Sequence, residues 1–544
     1  MEKSKIKKSI ILSGLIGTGG FFFAKLISLL YVIPLSTILG SNTYTAYYGT
    51  AYRIYSYFLN IFSAGFPLAV ATLVAKYSTL HDTKTVLLIK KISIAFLSLT
   101  GFVGMILFIS LSGVLSPIMA STNNPENIKV MQTILIILGI AIFFVPILSA
   151  YRGYIQGRKE IGEYAFSQTF EQIFRVGFLL IASCFLVYGL GWKRKWALYA
   201  SVSSTVIAAV VGLIQIIIYD KKHSKQLIED ANKQENHMVS FRPLFREFIL
   251  IAIPYLIVAV LGYSDDIFNS ILLPLGLKSG FYSLEQIDTI TTAFNFSGTK
   301  ILAIPMILAP GFISAIIPHI SSALTEKNLK LVRKNIIDCL DIILYLSLPI
   351  CFCIFVYAGP IIYTLFNPSD IALSTSVLEW LSIEALSSTI MPVIVNIMMT
   401  LKLRKSVLRK LVVSTAIKGI TMVPLMNLLG FKGAIIASLL NSLYLACSCL
   451  RDMHKKFNIS FKATMHKILL IIISILGLWI TSYLLTKLGI GGINDSRIIC
   501  LVKMGINGII SMAVYVGLTI FFQIPQCIFH IDLPFKKKSN IKNS

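Results

Sequence analysis

Charged residues and enzyme motifs are both scarce in this sequence. Only 13% of its 544 residues are charged and 56% are hydrophobic, with a mean hydropathy of +0.79. This composition excludes an ordinary soluble globular protein. The sequence contains no GxxxxGK(S/T) phosphate-binding loop, no HExxH zinc motif and no GxSxG nucleophile motif. We therefore predict a membrane protein that is not an enzyme.

Cysteine usage excludes further classes of site. All eight cysteines fall in or at the edges of hydrophobic runs, where cysteine usually packs as a small apolar residue. Their spacing predicts neither a disulfide framework nor a metal site. The adjacent acids Asp265 and Asp266 lack the second acidic motif that a metal-dependent prenyl-transferring enzyme needs. We therefore predict no metal ion and no organic cofactor.

Long hydrophobic runs make up most of the chain. A transmembrane helix needs about 20 predominantly apolar residues, and fourteen segments of the sequence reach that length. We predict an all-α polytopic membrane protein with about 14 transmembrane helices. The predicted spans are 9–36, 46–75, 92–118, 130–151, 164–189, 196–219, 247–274, 286–318, 336–362, 372–400, 406–428, 433–450, 466–486 and 500–525.

The basic residues predict how these spans are oriented. The sequence has 49 Lys and Arg against 24 Asp and Glu, a formal charge of +25. If the N-terminus is cytoplasmic and cations near the end of a span are counted with the adjacent loop, 35 basic residues lie in cytoplasmic segments, nine in outer loops and five deep within spans. This bias follows the positive-inside rule, so we predict a cell-membrane protein with both termini cytoplasmic, which contacts membrane lipids and binds no nucleic acid. The exception is Lys193-Arg194-Lys195, in a short outer loop.

A polar, charged segment separates two groups of six spans. We predict an N-terminal six-helix lobe (1–220), a cytoplasmic linker (221–246), a C-terminal six-helix lobe (247–455), and two additional helices with a basic tail (456–544). A shift of 246 positions aligns Gly65-Phe66 with Gly311-Phe312, Pro146 with Pro392, and Arg158-Lys159 with Arg404-Lys405. Because each lobe has an even number of spans, the two repeats share one orientation, as in transporters that alternate access to a central site.

Three cations within spans are candidates for substrate binding. Lys25 lies in the first span, Arg53 in the second and Lys300 in the eighth, and the 246-residue shift brings Arg53 to within one position of Lys300. A charge at membrane depth is costly, so each must face a cavity, a ligand or a partner. If the three helices line one cavity, its cationic wall favours an anionic substrate, since arginine and lysine both bind phosphate oxygens. The alternative is that each side chain reaches an interface or pairs with a carboxylate.

Other charged residues within spans predict internal contacts. Glu171 and Arg175 are four residues apart in the fifth span, which predicts a structural pair on one helix face. Asp265 and Asp266 in the seventh span have Lys418 in the eleventh as their candidate partner. Adjacent residues point about 100° apart around a helix, so at most one aspartate faces Lys418. A bound cation or a proton could satisfy the other, and this group is either a structural charge pair or a coupling site.

Three segments of the sequence resemble a known family of exporters. They are AGFPLAVATLVAKY at 64–77, PILSAYRGYIQGRKEIGEYAFSQTFEQIFRV at 146–176 and ILAPGFISAIIPHIS at 307–321. They are similar to signature regions of the MOP-superfamily polysaccharide exporters, most of all the SpoVB/YtgP-like branch that includes MurJ-type lipid II flippases of Gram-positive bacteria. The resemblance runs from about residue 9 to 525, and it implies two six-helix lobes followed by two C-terminal helices.

The same resemblance implies a substrate. It is an undecaprenyl-pyrophosphate-linked peptidoglycan precursor, lipid II, which is moved from the inner to the outer leaflet. Our own hypothesis is that the headgroup lies in the cavity and the lipid tail outside it, along helices thirteen and fourteen. Lys25, Arg53 and Lys300 lie on the helices whose basic residues line the cavity of MurJ-type proteins. Some relatives hold sodium between helices seven and eleven, where Lys418 is expected to replace the ion. Cell-wall synthesis enzymes are candidate partners.

The expected driving force is the membrane potential. Moving one charge through 100 mV is worth about 2.3 kcal/mol, so an inside-negative potential favours outward movement of an anionic headgroup. A monovalent cation or a proton is the alternative coupling ion. Other functions on the same fold stay open: export of another lipid-linked glycan (capsule, teichuronic-type or sporulation-specific), MATE-type antiport of cations or drugs, which a basic cavity disfavours, and a non-transporting membrane scaffold.

Overall fold

The computed structural model describes residues 31–40, 42–120, 124–234, 239–278, 282–308, 320, 323–324, 326–366 and 368–529. Within these ranges the chain forms twenty α-helices, two π-helical turns and no strand. The helices are α1 (Val32–Leu39), α2 (Asn42–Ser63), α3 (Phe66–Thr79), α4 (Thr83–Met119), α5 (Pro125–Gly157), α6 (Ile161–Cys184), α7 (Arg194–His223), α8 (Lys225–Lys233), α9 (Phe241–Gly262), α10 (Ser264–Leu277), α11 (Leu284–Thr292), α12 (Thr299–Met306), α13 (Leu329–Val356), α14 (Ala358–Leu365), α15 (Ile371–Thr400), α16 (Arg404–Leu429), α17 (Phe431–Phe457), α18 (Lys462–Lys487), α19 (Arg497–Phe521) and α20 (Ile524–Phe529). We refer to α1–α7 as the first lobe and to α9–α17 as the second lobe.

The described helices confirm a multi-pass membrane architecture. Within the described residues, twelve helical segments are long and apolar enough to cross a membrane, and they coincide with twelve of the fourteen predicted spans. The other two predicted spans, 9–36 and 286–318, lie partly outside the described residues. α1 is the described end of the first of these, and α11 and α12 belong to the second. Lys25 also lies outside the described residues.

The internal repeat is visible in the way the helices begin. In α4, α5, α13 and α15, the N-cap side chain accepts a hydrogen bond from a backbone N–H of the first turn. Such caps satisfy N–H groups that have no partner within the helix. The caps are 246 positions apart in each pair: Asp82 with Asn328, and Asn124 with Asp370. The shift found in the sequence therefore relates the third and fourth spans to the ninth and tenth.

The register of the repeat changes after α5 and α15. Pro146 and Pro392, which the 246-residue shift aligns, lie inside these two helices. However, α5 has 33 residues and α15 has 30. In the turns that follow, the residues with left-handed φ values are Lys159 and Lys402, which are 243 positions apart. The predicted alignment of Arg158-Lys159 with 404–405 is therefore wrong by three positions, because the second lobe has a shorter helix.

The second span is interrupted at Gly65, between α2 and α3. Gly65 has a φ of +83°, which residues with a Cβ rarely adopt. A Cβ added there would lie 2.7 Å from the backbone nitrogen of Leu256 and 2.9 Å from the carbonyl oxygen of Ala252. The glycine thus allows the break in the first lobe to lie directly against α9 of the second lobe.

We expect Gly65→Ala to lower the melting temperature of the purified protein by a few degrees. The left-handed conformation costs a residue with a Cβ about 1–2 kcal/mol, and the added methyl group must also displace the backbone of α9. Gly177→Ala in α6 is the matched control, because nothing lies within 4 Å of a Cβ at Gly177 and alanine favours a helix over glycine. Equal melting temperatures for the two variants would contradict the close approach at Gly65.

The basic run at 193–195 contacts two neighbouring helix ends. A Cβ at Gly40, the C-cap of α1, would lie 1.1 Å from Nη1 of Arg194, so this guanidinium lies over the C-terminus of α1. A cation interacts favourably with the helix dipole there. Lys195 Nζ lies 3.0 Å from a carboxylate oxygen of Glu126, in the first turn of α5. Two of the three charges that break the positive-inside pattern therefore have contacts within the protein.

The two C-terminal helices pack on the second lobe through polar contacts as well as apolar ones. Lys467 of α18 forms an ion pair with Asp341 of α13, and Tyr357 donates a hydrogen bond of 2.8 Å to Asn507 of α19. Such contacts help to hold helices together in a membrane, where apolar side chains gain little by leaving lipid. α18 and α19 are thus attached to one lobe of the repeat.

Candidate substrate cavity between the two lobes

A cavity of about 500 Å³ lies between the two lobes. Its first-lobe wall comes from α2, α5 and α6, and its second-lobe wall from α10, α12 and the π-helical turn Ala293–Gly298. Isolated π-helical turns are frequent at functional sites. Among the described residues, the charged side chains that line the cavity are four cations and two carboxylates: Arg53, Arg152, Arg175, Lys300, Glu171 and Asp266.

Arg53 extends from α2 into this cavity, and its side chain is 15% exposed. Its Nη1 lies 3.5 Å from Oδ1 of Asp266. Its Nη2 donates a hydrogen bond of 3.2 Å to the carbonyl oxygen of Phe294, in the π-helical turn. Its Nε is buried and has no hydrogen-bond partner among the described residues. Since a guanidinium has five N–H donors, Arg53 keeps donors available for a ligand.

The adjacent aspartates of α10 have different partners. Asp265 Oδ1 lies 2.7 Å from Nζ of Lys418 in α16, and the lysine side chain is fully buried. Asp266 instead faces Arg53 at the cavity wall. This agrees with the expectation that only one aspartate reaches Lys418. The partner of Asp266 is an arginine. From the sequence, a bound cation or a proton was expected at this aspartate.

Lys300 faces the same cavity from α12. Its Nζ donates a hydrogen bond of 2.8 Å to the hydroxyl of Tyr31 and lies 4.8 Å from the centre of that ring. Tyr31 directly precedes α1, so this contact joins the two lobes. Among the described residues, no carboxylate lies within ion-pair distance of Lys300. The structure therefore places Lys300 and Arg53 in one cavity, on the walls of different lobes, and leaves the charge of Lys300 available to an anion.

A different pair replaces the predicted one between Glu171 and Arg175. Glu171 Oε2 lies 2.8 Å from Nη1 of Arg152 in α5, and Arg152 also donates a hydrogen bond of 2.8 Å to the carbonyl oxygen of Ser167. The guanidinium carbon of Arg175 lies 5.0 Å from the ring centre of Tyr52, a cation–π contact. Spacing along one helix makes Glu171 and Arg175 neighbours, but an arginine from the adjacent helix takes the carboxylate.

Several residues that line this cavity were not predicted from the sequence, among them Arg152, Tyr31 and Tyr52. Arg152 belongs to the YRGYIQG string, but the predicted fourth span ended at 151 and left Arg152 in a loop. The structure continues α5 to Gly157, so Arg152 lies in the helix and on the cavity wall. Tyr31 and Tyr52 were missed because a tyrosine in a span gives no signal of which side chain it contacts.

The two lobes also contact each other on either side of the cavity. Near the start of α2, Thr43 donates a hydrogen bond of 2.6 Å to Asp288 of α11. Near the end of α3, Lys76 Nζ lies 2.6 Å from Glu247 of α9. The cavity thus lies between two sets of interlobe contacts. If the site is to be reached from either side of a membrane in turn, these contacts must open one at a time.

The charges of the cavity make it complementary to an anion. In the part of the wall that the structure describes, four cations and two carboxylates leave an excess of two positive charges. Electrostatic interactions are stronger in a cleft with low-dielectric walls than in water. A pyrophosphate diester carries one negative charge on each phosphate and therefore matches this excess, whereas a cationic ligand does not.

Two lobes related by a repeat, built from membrane-spanning helices around a central charged cavity, define a secondary membrane transporter. Comparison with known proteins gives the family. The family described as polysaccharide biosynthesis protein matches residues 11–324, which is more than half of the chain. The chain belongs to this family, and its fold is that of the MOP superfamily.

Individual relatives agree with this assignment. The chain is 29% identical to the lipid II flippase MurJ of Bacillus subtilis (strain 168) over 439 residues, 78% of this chain and 78% of that protein. A lipid II flippase MurJ in an inward closed conformation has a TM-score of 0.65 at 16% identity, with 94% of this chain and 99% of that chain covered. An inward-facing multidrug resistance MATE family transporter has a TM-score of 0.61 at 14% identity, with 81% and 95% covered. These proteins are transporters and not enzymes, in agreement with the prediction.

Proposed function

We propose that this protein is a flippase that moves an undecaprenyl-pyrophosphate-linked peptidoglycan precursor, lipid II, from the inner to the outer leaflet of a bacterial cell membrane. The observation that carries the proposal is the excess of positive charge in the cavity between the lobes. Similarity to the Bacillus subtilis flippase over 78% of both chains supports the choice of substrate.

In this proposal the pyrophosphate binds between Arg53 and Lys300. Arg53 offers a planar set of donors that suits bidentate contact with phosphate oxygens, and Lys300 offers a compact charge. The two residues come from different lobes, on α2 and α12. A headgroup held by both therefore contacts both moving parts of the transporter, while the lipid tail stays in the bilayer along α18 and α19.

The membrane potential drives the transport cycle in this proposal. An inside-negative potential favours outward movement of the anionic headgroup by about 2.3 kcal/mol per charge per 100 mV. The same field favours the return of the empty, positively charged cavity toward the cytoplasm. Lys418 already supplies a fixed positive charge beside Asp265, so the cycle needs no sodium ion at that position.

A second candidate is the export of a different lipid-linked glycan. The cavity residues that carry the proposal, Arg53 and Lys300, recognise phosphate and do not distinguish one sugar from another. A repeat unit of a capsule, a teichuronic-type polymer or a spore-specific glycan has the same pyrophosphate linkage. Antiport of cationic drugs is disfavoured by the positive excess on the wall.

Lipid II exposure in living cells tests the function. We expect this protein to restore lipid II at the outer surface of bacteria depleted of their own flippase, and collapse of the potential with valinomycin and potassium to abolish the exposure. Lys300→Glu is expected to lose it, because a carboxylate then faces the phosphates. Lys278→Glu, at the exposed C-cap of α10, is the matched control and is expected to keep it.

Each outcome of this experiment is informative when the variants are expressed equally. If the well-expressed wild type does not restore exposure, lipid II is the wrong substrate and the second candidate is favoured. If restoration survives collapse of the potential, the proposed driving force is wrong. Restoration by Lys300→Glu at the wild-type level would contradict a role for Lys300 in binding.

A further inference from the structure

Arg53 connects the two lobes through contacts for which a phosphate would compete. It lies on α2 of the first lobe, and its two partners among the described residues, Asp266 and the carbonyl of Phe294, belong to the second lobe. The two contacts are 3.5 and 3.2 Å long. The neighbouring pair of Asp265 with Lys418 is 2.7 Å long. The contact between Arg53 and Asp266 is thus the looser of the two ion pairs made by α10.

The position of Asp266 is fixed within the second lobe. If movement of the lobes or binding of a ligand displaces Arg53, Asp266 does not move with it. The preceding residue, Asp265, is bound at 2.7 Å to Lys418, whose side chain has no exposure at all. This pair fixes α10 to α16 within the second lobe. The carboxylate of Asp266 is 23% exposed and lines the cavity, so it is presented to the substrate site from a fixed position.

We propose that Asp266 is an internal ligand of Arg53, which occupies the guanidinium while the cavity is empty and is displaced by the phosphate groups of the substrate. The identity of that substrate rests on the proposed function. A carboxylate and a phosphate bind a guanidinium through the same parallel N–H donors, so they compete for one position. Displacement removes one contact between the lobes, so substrate binding weakens the attachment of Arg53 to the second lobe and leaves the hydrogen bond to the carbonyl of Phe294.

The displaced carboxylate also limits how tightly the substrate binds. Asp266 remains at the cavity wall after the exchange, partly solvated, and repels the phosphate beside it. A transporter must release its substrate on the other side, and a binding site that holds the ground state too tightly slows turnover. In this scheme, the acidic residue at the wall of the anion site lowers the affinity enough for the substrate to be released.

The affinity for a soluble pyrophosphate tests the exchange. With the full-length protein in lipid nanodiscs and farnesyl pyrophosphate as the probe, we expect Asp266→Asn to bind about tenfold more tightly than the wild type, because one like charge near the ligand is removed. Asp266→Glu keeps the charge and is the matched variant, with an expected affinity within about threefold of the wild type. Unchanged or weaker binding by Asp266→Asn would overturn the proposal.

The distance between the lobes gives a second readout. If Asp266 had only a structural role, neutralising it would not change this distance. Spin labels are placed at the exposed positions Ser78 and Arg242, at the ends of α3 and α9, in a background in which the exposed Cys447 and Cys527 are serine. We expect farnesyl pyrophosphate to shift the distance distribution of the wild type, and Asp266→Asn to show the shifted distribution without ligand. If the variant without ligand matches the wild type without ligand, the coupling is wrong.

The exchange and the proposed function fail in different ways. If the wild type moves lipid II but Asp266→Asn binds the probe as the wild type does, only the exchange is wrong. If Asp266→Asn binds the probe more tightly but the wild type moves no lipid II, the exchange is supported and lipid II is the wrong substrate. If neither protein binds farnesyl pyrophosphate, the exchange is wrong and so is the proposed pyrophosphate site, whereas lipid II exposure in cells decides the function.

Discussion

Arg53→Glu is expected to reduce lipid II exposure to the level of cells that have no flippase. The substitution removes the guanidinium that pairs with Asp266 and forms part of the proposed phosphate site, and it places a second carboxylate beside the first. Truncating one partner of a buried charged contact costs about 2–5 kcal/mol, and every 1.4 kcal/mol is a tenfold change in affinity. The loss of binding is therefore at least about thirtyfold, and charge reversal adds repulsion. The measurement is surface-accessible lipid II at equal expression.

Two further variants make this prediction specific. Arg53→Lys keeps the charge but loses the planar pair of donors, so we expect transport to be reduced and not abolished. Arg404→Glu is the control for charge reversal, because Arg404 is exposed at the N-terminus of α16, where the helix dipole favours an acid. Wild-type exposure with Arg53→Glu would show that this arginine serves only the contact between the lobes.

Asp265→Asn is expected to destabilise the protein more than any other substitution considered for this cavity. It leaves the ammonium of Lys418, which is fully buried, without its partner at 2.7 Å. Breaking a buried ion pair by removing one partner costs about 3–5 kcal/mol. Glu384, also buried, lies within electrostatic range of Lys418 and offsets a part of this cost. We expect a clearly lower melting temperature of the purified protein in detergent.

The reverse substitution, Lys418→Met, is expected to be milder. The aspartate that it leaves behind is 39% exposed, so water can solvate the carboxylate, and methionine fills much of the volume of the lysine. The double variant Asp265→Asn with Lys418→Met is expected to recover most of the stability, since no unpaired charge then remains. A larger effect of Lys418→Met than of Asp265→Asn, or no recovery in the double variant, would contradict this account.

The two adjacent aspartates should therefore respond in opposite ways. Neutralising Asp265 weakens the fold, because its partner is a buried lysine of the same lobe. Neutralising Asp266 is expected to strengthen the binding of a pyrophosphate, because its partner is the arginine that faces the cavity. Nothing in the dipeptide itself distinguishes the two side chains. Their positions around α10, about 100° apart, direct Asp265 to Lys418 and Asp266 to Arg53.

The sequence by itself determined the class of protein and the plan of the fold. The lipid core requires spans of a given length with their backbone hydrogen bonds satisfied internally, so hydrophobic runs locate the helices without knowledge of their neighbours. The 246-residue shift was likewise readable, and the caps Asp82 and Asn328 confirm it because capping depends only on residues close in sequence. Arg53 and Lys300 stood out for a similar reason, since a charge within a span always needs an explanation.

Only the tertiary structure decided which charges meet. Arg152 pairs with Glu171 and Asp266 with Arg53, and in both cases the partner comes from another helix. The energy of such a contact depends on distance and burial. Both are determined by how the helices pack, and the spacing of residues along one helix does not predict them. The end of the fourth span was misplaced for a related reason. A helix that lines a polar cavity can carry polar residues at membrane depth, and these look like a loop until the cavity is known.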